Sequence, residues 1–277
     1  MNRAAYLLKL SRPRFWIYLA GPVLVGAVFG ASSPLDLLSA PILALFAFFL
    51  LPANVLIYGV NDVFDADVDR ANPKKDDREA RYTGQRSVVV AVVASGLLGL
   101  ALVPLLPAGA LVWIAAFYTL GIGYSTPPAR FKTTPVLDSI SNGLYFTPGA
   151  AAYVALAGSQ PPALAVVGAW FWTMGMHTFS AIPDIEPDRE AGIRTTATVL
   201  GERRTYAYCL ACWALAALAF GALDVRLGAL FLVYPALVAA IATATVDVSR
   251  AYWWFPAINS VVGALFTMGG LWTLVYG

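Results

Sequence analysis

The chain has 277 residues, 59% of them hydrophobic and 12% charged, with a formal net charge of +2 and a mean hydropathy of +0.70. So little polar surface cannot cover a water-soluble globule of this length, which leaves an integral membrane protein. The near-neutral balance, with its charges gathered in a few loops, argues against a basic nucleic-acid-binding face.

Met1 to Leu10 lacks the basic, apolar and small-residue order of a cleaved signal, so the first apolar run is expected to stay in the protein. Apolar windows long enough to cross a bilayer fall near 15–31, 41–61, 87–107, 109–125, 136–157, 162–182, 205–223, 227–246 and 254–276. An all-α polytopic fold of about nine transmembrane helices is therefore expected. Pro22, Pro52, Pro104 and Pro148 lie inside these windows and are expected to mark kinks, since neighbouring helices can satisfy the freed carbonyls. Cys209 and Cys212 form a C-x-x-C in an apolar segment. With no second ligand pair in the sequence, buried free thiols are expected.

Basic residues in short loops stay on the cytoplasmic side. With the N-terminus inside, every Lys and Arg except Arg226 falls in a cytoplasmic segment of the nine-helix topology. The protein is thus expected in the cell membrane, with its N-terminus cytoplasmic and its C-terminus outside. Helices 2 and 6 each end in an acidic stretch followed by a long polar loop. The chain therefore reads as one domain over 1–277, built from two four-helix repeats, about 10–125 and 130–246, with a ninth helix appended.

The first acidic stretch runs from Asn61 to Asp69 and carries Asp62, Asp65, Asp67 and Asp69. If the preceding helix continues, Asp62, Asp65 and Asp69 project from one face. Such crowded anions repel unless they share a cation, and all-oxygen ligands suit a hard ion such as Mg²⁺, whose usual companion is a diphosphate. The second stretch holds Asp184 and Asp188 at i, i+4. Acidic loop ends are common in isolation. A pair of them at equivalent places in two halves is less easily dismissed, and both are expected at the cytoplasmic mouth of one central cavity.

These motifs resemble those of the UbiA-type intramembrane prenyltransferases. Asn61, Asp62, Asp65 and Asp69 match the first family motif, N-D-x-x-D-x-x-x-D, while Asp184 and Asp188 match the second except at its first position, which here is Ala181. Ser180 stands where a Lys commonly precedes that motif. Tyr124-Ser125-Thr126-Pro127, Arg130-Phe131-Lys132, Arg12-Pro13 and Gly192-Ile193-Arg194-Thr195 also fit, so the likeness spans essentially the whole chain.

The resemblance implies two Mg²⁺ ions, held by Asn61, Asp62, Asp65, Asp69, Asp184 and Asp188, gripping the diphosphate of an allylic isoprenyl donor. It assigns catalytic parts to Asp65, Asp184 and Tyr124, and diphosphate contacts to Lys75, Arg78, Arg81, Ser125, Lys132 and Arg194. Departing diphosphate concentrates negative charge that cations stabilise, although headgroup anchoring alone would also account for basic loop residues. Counting back along the two helices brings Asn54, Tyr58, His177 and Ser180 onto the motif-bearing faces. With Asn142 they are expected to line the cavity, where hydrogen bonding between helices is the plain alternative to catalysis. The 8 Trp, 13 Tyr and 15 Phe suffice to line a hydrocarbon chamber and face a carbocation with ring π-systems.

Ala181 and Ser180 remove an acid and its basic neighbour that would help orient or deprotonate a phenol. A neutral polyene needs neither. Together with Asn72-Pro73-Lys74-Lys75 and the run from Ile182 to Arg189, this resembles the branch that adds C5 units to lycopene in making C50 carotenoids. An aromatic or quinone precursor is the alternative acceptor. A cation-coupled secondary transporter, from another class, would place its carboxylates near mid-membrane on broken helices.

Overall fold

The computed structural model describes residues 3–66, 82–244 and 246–277, and every regular element among them is helical. Asp69, Lys75, Arg78 and Arg81, named above as ligands of metal or diphosphate, lie outside the described residues. Seven helical stretches among the described residues are long and apolar enough to cross a membrane: Pro13–Gly30, Ala40–Phe64, Arg86–Leu105, Ala108–Ser125, Glu202–Leu223, Val225–Thr243 and Phe255–Tyr276. They correspond to seven of the nine expected windows. The windows near 136–157 and 162–182 are also helical. The former is divided into Leu137–Ile140, a 3-10 turn over Ser141–Tyr145 and Thr147–Ala157, and the latter is one helix, Ala163–Ser180.

The chain divides into two compact units, one of residues 1–129, 147–160 and 267–277 and one of residues 130–146 and 161–266. In the first, α1 (Arg3–Leu10) leads through a 3-10 turn at Pro13–Phe15 into α2 (Trp16–Gly30). Next come α3 (Ala40–Leu50), α4 (Pro52–Phe64), α5 (Arg86–Leu98), α6 (Ala108–Ser125) and, after a passage through the other unit, α8 (Thr147–Ala157). The second unit holds α7 (Leu137–Ile140), α9 (Ala163–Ser180), α10 (Ile185–Glu190), α11 (Thr196–Leu200), α12 (Glu202–Leu223), α13 (Val225–Phe231), α14 (Val233–Thr243), α15 (Val248–Trp253) and most of α16 (Phe255–Tyr276).

Two of the four prolines start helices rather than bend them. Pro52 occupies the first position of α4 after a break at Leu51, and Pro148 sits in the first turn of α8. A proline has no N–H to give and its ring collides with the preceding turn, so the chain restarts behind it. Pro22 lies inside α2, and Pro104 lies inside a 3-10 stretch.

Helices that share an apolar solvent cannot rely on burial of side chains for adhesion, so close backbone approach matters more. In the first unit α2 meets α8 in this way: a Cβ built on Gly26 would stand 1.8 Å from the Gly149 carbonyl oxygen, and one on Gly30 would stand 2.7 Å from that of Tyr153. The second unit instead packs around aromatic side chains. Trp213 is wholly buried among Phe179, Tyr234 and Phe255, with ring centroids at 5.8, 5.5 and 5.9 Å, and its Nε1 donates to the Trp172 carbonyl at 3.1 Å. Cys209, in this core, and Cys212 are both free and buried, as the lack of a second ligand pair in the sequence suggests.

Candidate functional site

The first acidic motif begins on α4 and outlasts it. The helix stops at Phe64; Asp65 is its C-cap at φ −102°, with its backbone N–H given to the Asn61 carbonyl at 2.9 Å. Asp65 thus keeps the helical bond back to Asn61, one turn beyond Asp62, and the helix that was expected to carry the face on to Asp69 stops there. Asp62 points into the protein and is 1% exposed, whereas Asp65 is half-buried at the helix end.

What Asp62 meets is Arg12. Its Oδ1 accepts from Arg12 Nη2 at 3.3 Å, and the same guanidinium lies 4.5 Å from the centre of the Tyr58 ring. The placement depends on the backbone, because Arg12 adopts a left-handed conformation, φ 50°, ψ 71°, ahead of Pro13. A non-glycine residue pays roughly 1–2 kcal/mol there, which the buried contacts of its side chain offset. Nearby, burial and the charge of Asp62 push the Tyr6 phenol up to about 12.

Asn61 and Ser125 meet across 64 positions of chain, with Ser125 Oγ donating to Asn61 Oδ1 at 2.9 Å. This contact brings the Tyr124-Ser125 end of α6 to the first motif. Asn54 is fully buried one turn beyond Tyr58, and its Nδ2 donates to the Phe49 and Leu50 carbonyls at 2.9 and 3.0 Å. Those are carbonyls at the break before Pro52, so the amide restores hydrogen bonds lost at that break.

In the second unit Asp184 closes a 3-10 turn, Ile182–Asp184, and Asp188 follows one turn later on α10. Both are half-buried. The loop behind them returns through Gly192, in the left-handed region at φ 69°, to an exposed Arg194 and the Thr195 cap of α11. Lys132, half-buried on the 3-10 turn Phe131–Thr133, belongs to this unit as well. Ser180 is half-buried, and its Oγ donates to the His177 carbonyl at 2.7 Å.

The sequence reading missed Asp138, a 1% exposed carboxylate inside an apolar window. It takes the Thr196 backbone N–H on Oδ2 at 2.9 Å and the Thr196 hydroxyl on Oδ1. An otherwise orphaned amide at the start of α11 is thereby satisfied from α7. Asp138 Oδ2 also lies 3.9 Å from His177 Nε2, and the Asp138 carbonyl accepts from Asn142 Nδ2 at 2.7 Å. His177 and Asn142 therefore both converge on Asp138. The available signal was the ionisable residue within a membrane window, which by itself marks a site worth attention.

No three His, Cys, Asp or Glu side chains among the described residues form a metal cage by themselves. Each motif taken by itself nevertheless offers only oxygen donors, the Asn61 amide, Asp62 and Asp65 in the first unit, and Asp184 and Asp188 in the second. One or two carboxylates at a time is what Mg²⁺ takes from a protein, completing its shell with water and substrate phosphate. The residues fit such an ion.

The sequence profile of the UbiA prenyltransferase family matches residues 19–256. A "Lycopene elongase/hydratase" of Haloferax volcanii is 66% identical over 100% of this chain and 92% of its own. One of Halobacterium salinarum is 60% identical over 98% of this chain and 99% of its own. A UbiA homolog from Archaeoglobus fulgidus, bound to GPP and Mg²⁺, superimposes with a TM-score of 0.74 over 96% of this chain and 99% of its own. Its complex with DMAPP and Mg²⁺ scores the same. At 22% and 21% identity that likeness shows the fold.

Proposed function

The chain belongs to the UbiA prenyltransferase family, an intramembrane prenyltransferase, and from that premise we propose that it transfers a C5 allylic group from its diphosphate to lycopene, adding water to the product. The observation that carries this reading is 66% identity, over the full chain, to a relative named for lycopene elongation and hydration. Ala181 and Ser180, in place of an acid and its basic neighbour, agree with an uncharged hydrocarbon acceptor.

Asn61, Asp62, Asp65 and Asp69, together with Asp184 and Asp188, would hold divalent metal, with two Mg²⁺ ions as the proposal. When bound, the metal supplies positive charge to the leaving diphosphate. Lys132, Arg194, Lys75, Arg78 and Arg81 add charge to the same group, with Tyr124 and Ser125 beside the first motif. Arg12 holds Asp62 in place from behind. Asn54, Tyr58, Asn142, His177 and Ser180 belong to the polar lining of the reaction chamber. The distribution of Lys and Arg supports a cytoplasmic N-terminus and active-site mouth and an exterior C-terminus. The paired acidic motifs support two pseudo-repeats in one catalytic domain.

Carbon–carbon bond formation then needs little from the protein beyond placement. Loss of diphosphate leaves an allyl cation, the terminal double bond of lycopene attacks it, and the new tertiary cation is captured by water with release of a proton. Purified protein in lipid, given dimethylallyl diphosphate, Mg²⁺ and a panel of lycopene, a hydroxybenzoate and a quinone precursor, tests the reading by product mass. Conversion of lycopene alone supports it. Conversion of the aromatic acceptors alone would replace the acceptor.

A further inference from the structure

We infer that His177 is the base that receives the proton when water captures the cation, and that Asp138 is the residue that positions and charges it for that step. The inference rests on the elongation-with-hydration reading above.

The geometry is that of a base backed by a buried carboxylate. His177 is 17% exposed, while Asp138 behind it is 1% exposed and 3.9 Å from Nε2. That is ion-pair distance: the carboxylate stabilises positive charge arriving on the imidazole, and does so strongly where water is excluded. Asp138 is itself held by two hydrogen bonds from Thr196, so its position does not depend on His177. The flanking positions are polar too. Thr178 Oγ1 donates to Ser139 Oγ at 2.9 Å, and the Ser139 and Tyr208 hydroxyls lie 2.9 Å apart. A polar seam of this kind within apolar helices is costly to keep. The tether from α7 to α11 is made by Asp138 and Thr196, and His177 adds a proton-accepting imidazole beside it.

Hydration gives that imidazole a task. In the capture step the water oxygen bonds to the tertiary carbon, one O–H bond of that water breaks, and its proton passes to the His177 imidazole. The ring becomes an imidazolium facing the Asp138 carboxylate and later returns the proton to bulk water. Without a base at this place, the cation is discharged by loss of a proton from the neighbouring carbon, which gives an alkene in place of an alcohol. The two products differ by one water.

The test reconstitutes wild type, His177→Gln, Asp138→Asn and Thr196→Val in lipid with lycopene, dimethylallyl diphosphate and Mg²⁺. Diphosphate release and the ratio of hydroxylated to anhydro C45 product are read together. We expect His177→Gln to release diphosphate within about threefold of wild type while the ratio falls about tenfold or more, a modest share of what a positioned base contributes. Asp138→Asn should shift the ratio in the same direction. Thr196→Val, which removes the hydroxyl tether and leaves the carboxylate, should not. An unchanged ratio in His177→Gln, or loss of diphosphate release in parallel with product, would overturn the assignment. So would a Thr196→Val ratio equal to that of Asp138→Asn, which would reduce Asp138 to a tether. Wild-type protein that left lycopene unaltered would instead overturn the acceptor reading, and this assignment with it.

Discussion

Arg12 reaches across fifty positions of sequence to put its guanidinium 3.3 Å from the carboxylate of Asp62. The pair links the turn ahead of α2 to the first acidic motif at the end of α4, and the guanidinium covers the Tyr58 ring on its way. A carboxylate this deeply buried is tolerable only with compensating charge or hydrogen bonds. Arg12 is therefore part of what keeps the motif in shape.

Arg12→Ala is expected to lower stability by about 3 kcal/mol, the usual consequence of removing one partner from a buried ion pair. Thermal unfolding in detergent measures it. Replacing both residues together, Arg12→Leu with Asp62→Leu, should recover much of the stability and none of the activity. Equal stability of Arg12→Ala and wild type would show that the pair is not energetically coupled to the fold.

Metal dependence separates the carboxylates from their surroundings. Turnover is expected to require Mg²⁺ or Mn²⁺ and to stop in EDTA, with recovery when the ion is restored. Asp65→Asn and Asp188→Asn, both half-buried, should each lower activity by about a hundredfold or more, the scale of losing a principal electrostatic stabiliser, with unfolding temperatures close to wild type. Full turnover in EDTA would contradict the metal reading.

The close approach of α2 and α8 gives a prediction about the scaffold alone. Gly26→Ala would drive a methyl group into the Gly149 carbonyl, which is backbone and cannot swing away. We expect a loss of about 1–3 kcal/mol, as for other overpacked cores. Gly263→Ala, where nothing stands within 4 Å of the new carbon, should be close to neutral. Comparable losses in the two variants would remove the packing argument.

The fold class and both acidic motifs were legible in the sequence because each is a local property, a run of apolar residues or a cluster of carboxylates. What depended on partners distant in sequence was not. Ser125 and Asn61 are 64 positions apart, and Asp138 is 58 from Thr196; no periodicity connects them. The end of α4 escaped for a different reason: helical spacing says which side chains would align if the helix continued, and nothing in Asp65 announces a C-cap. Of the nine expected helices, seven are stretches of sufficient length and apolarity among the described residues: the window near 136–157 is interrupted around Ser141–Tyr145 before a helix restarts at Thr147, and Ala163–Ser180, with its His, Ser and Thr, is long enough but less apolar. One correspondence strengthens the proposed repeat. Arg12 and Arg130, each just ahead of the first window of its half, both adopt the left-handed conformation and both cap a 3-10 turn.

The central claim, transfer of a C5 group to lycopene with hydration, is tested most directly by the mass of the product formed from lycopene and dimethylallyl diphosphate in water enriched in oxygen-18. The account predicts a product larger than lycopene by one C5 unit and one water, with the heavy oxygen in its hydroxyl group. Unaltered lycopene alongside efficient prenylation of a hydroxybenzoate or quinone precursor would contradict it.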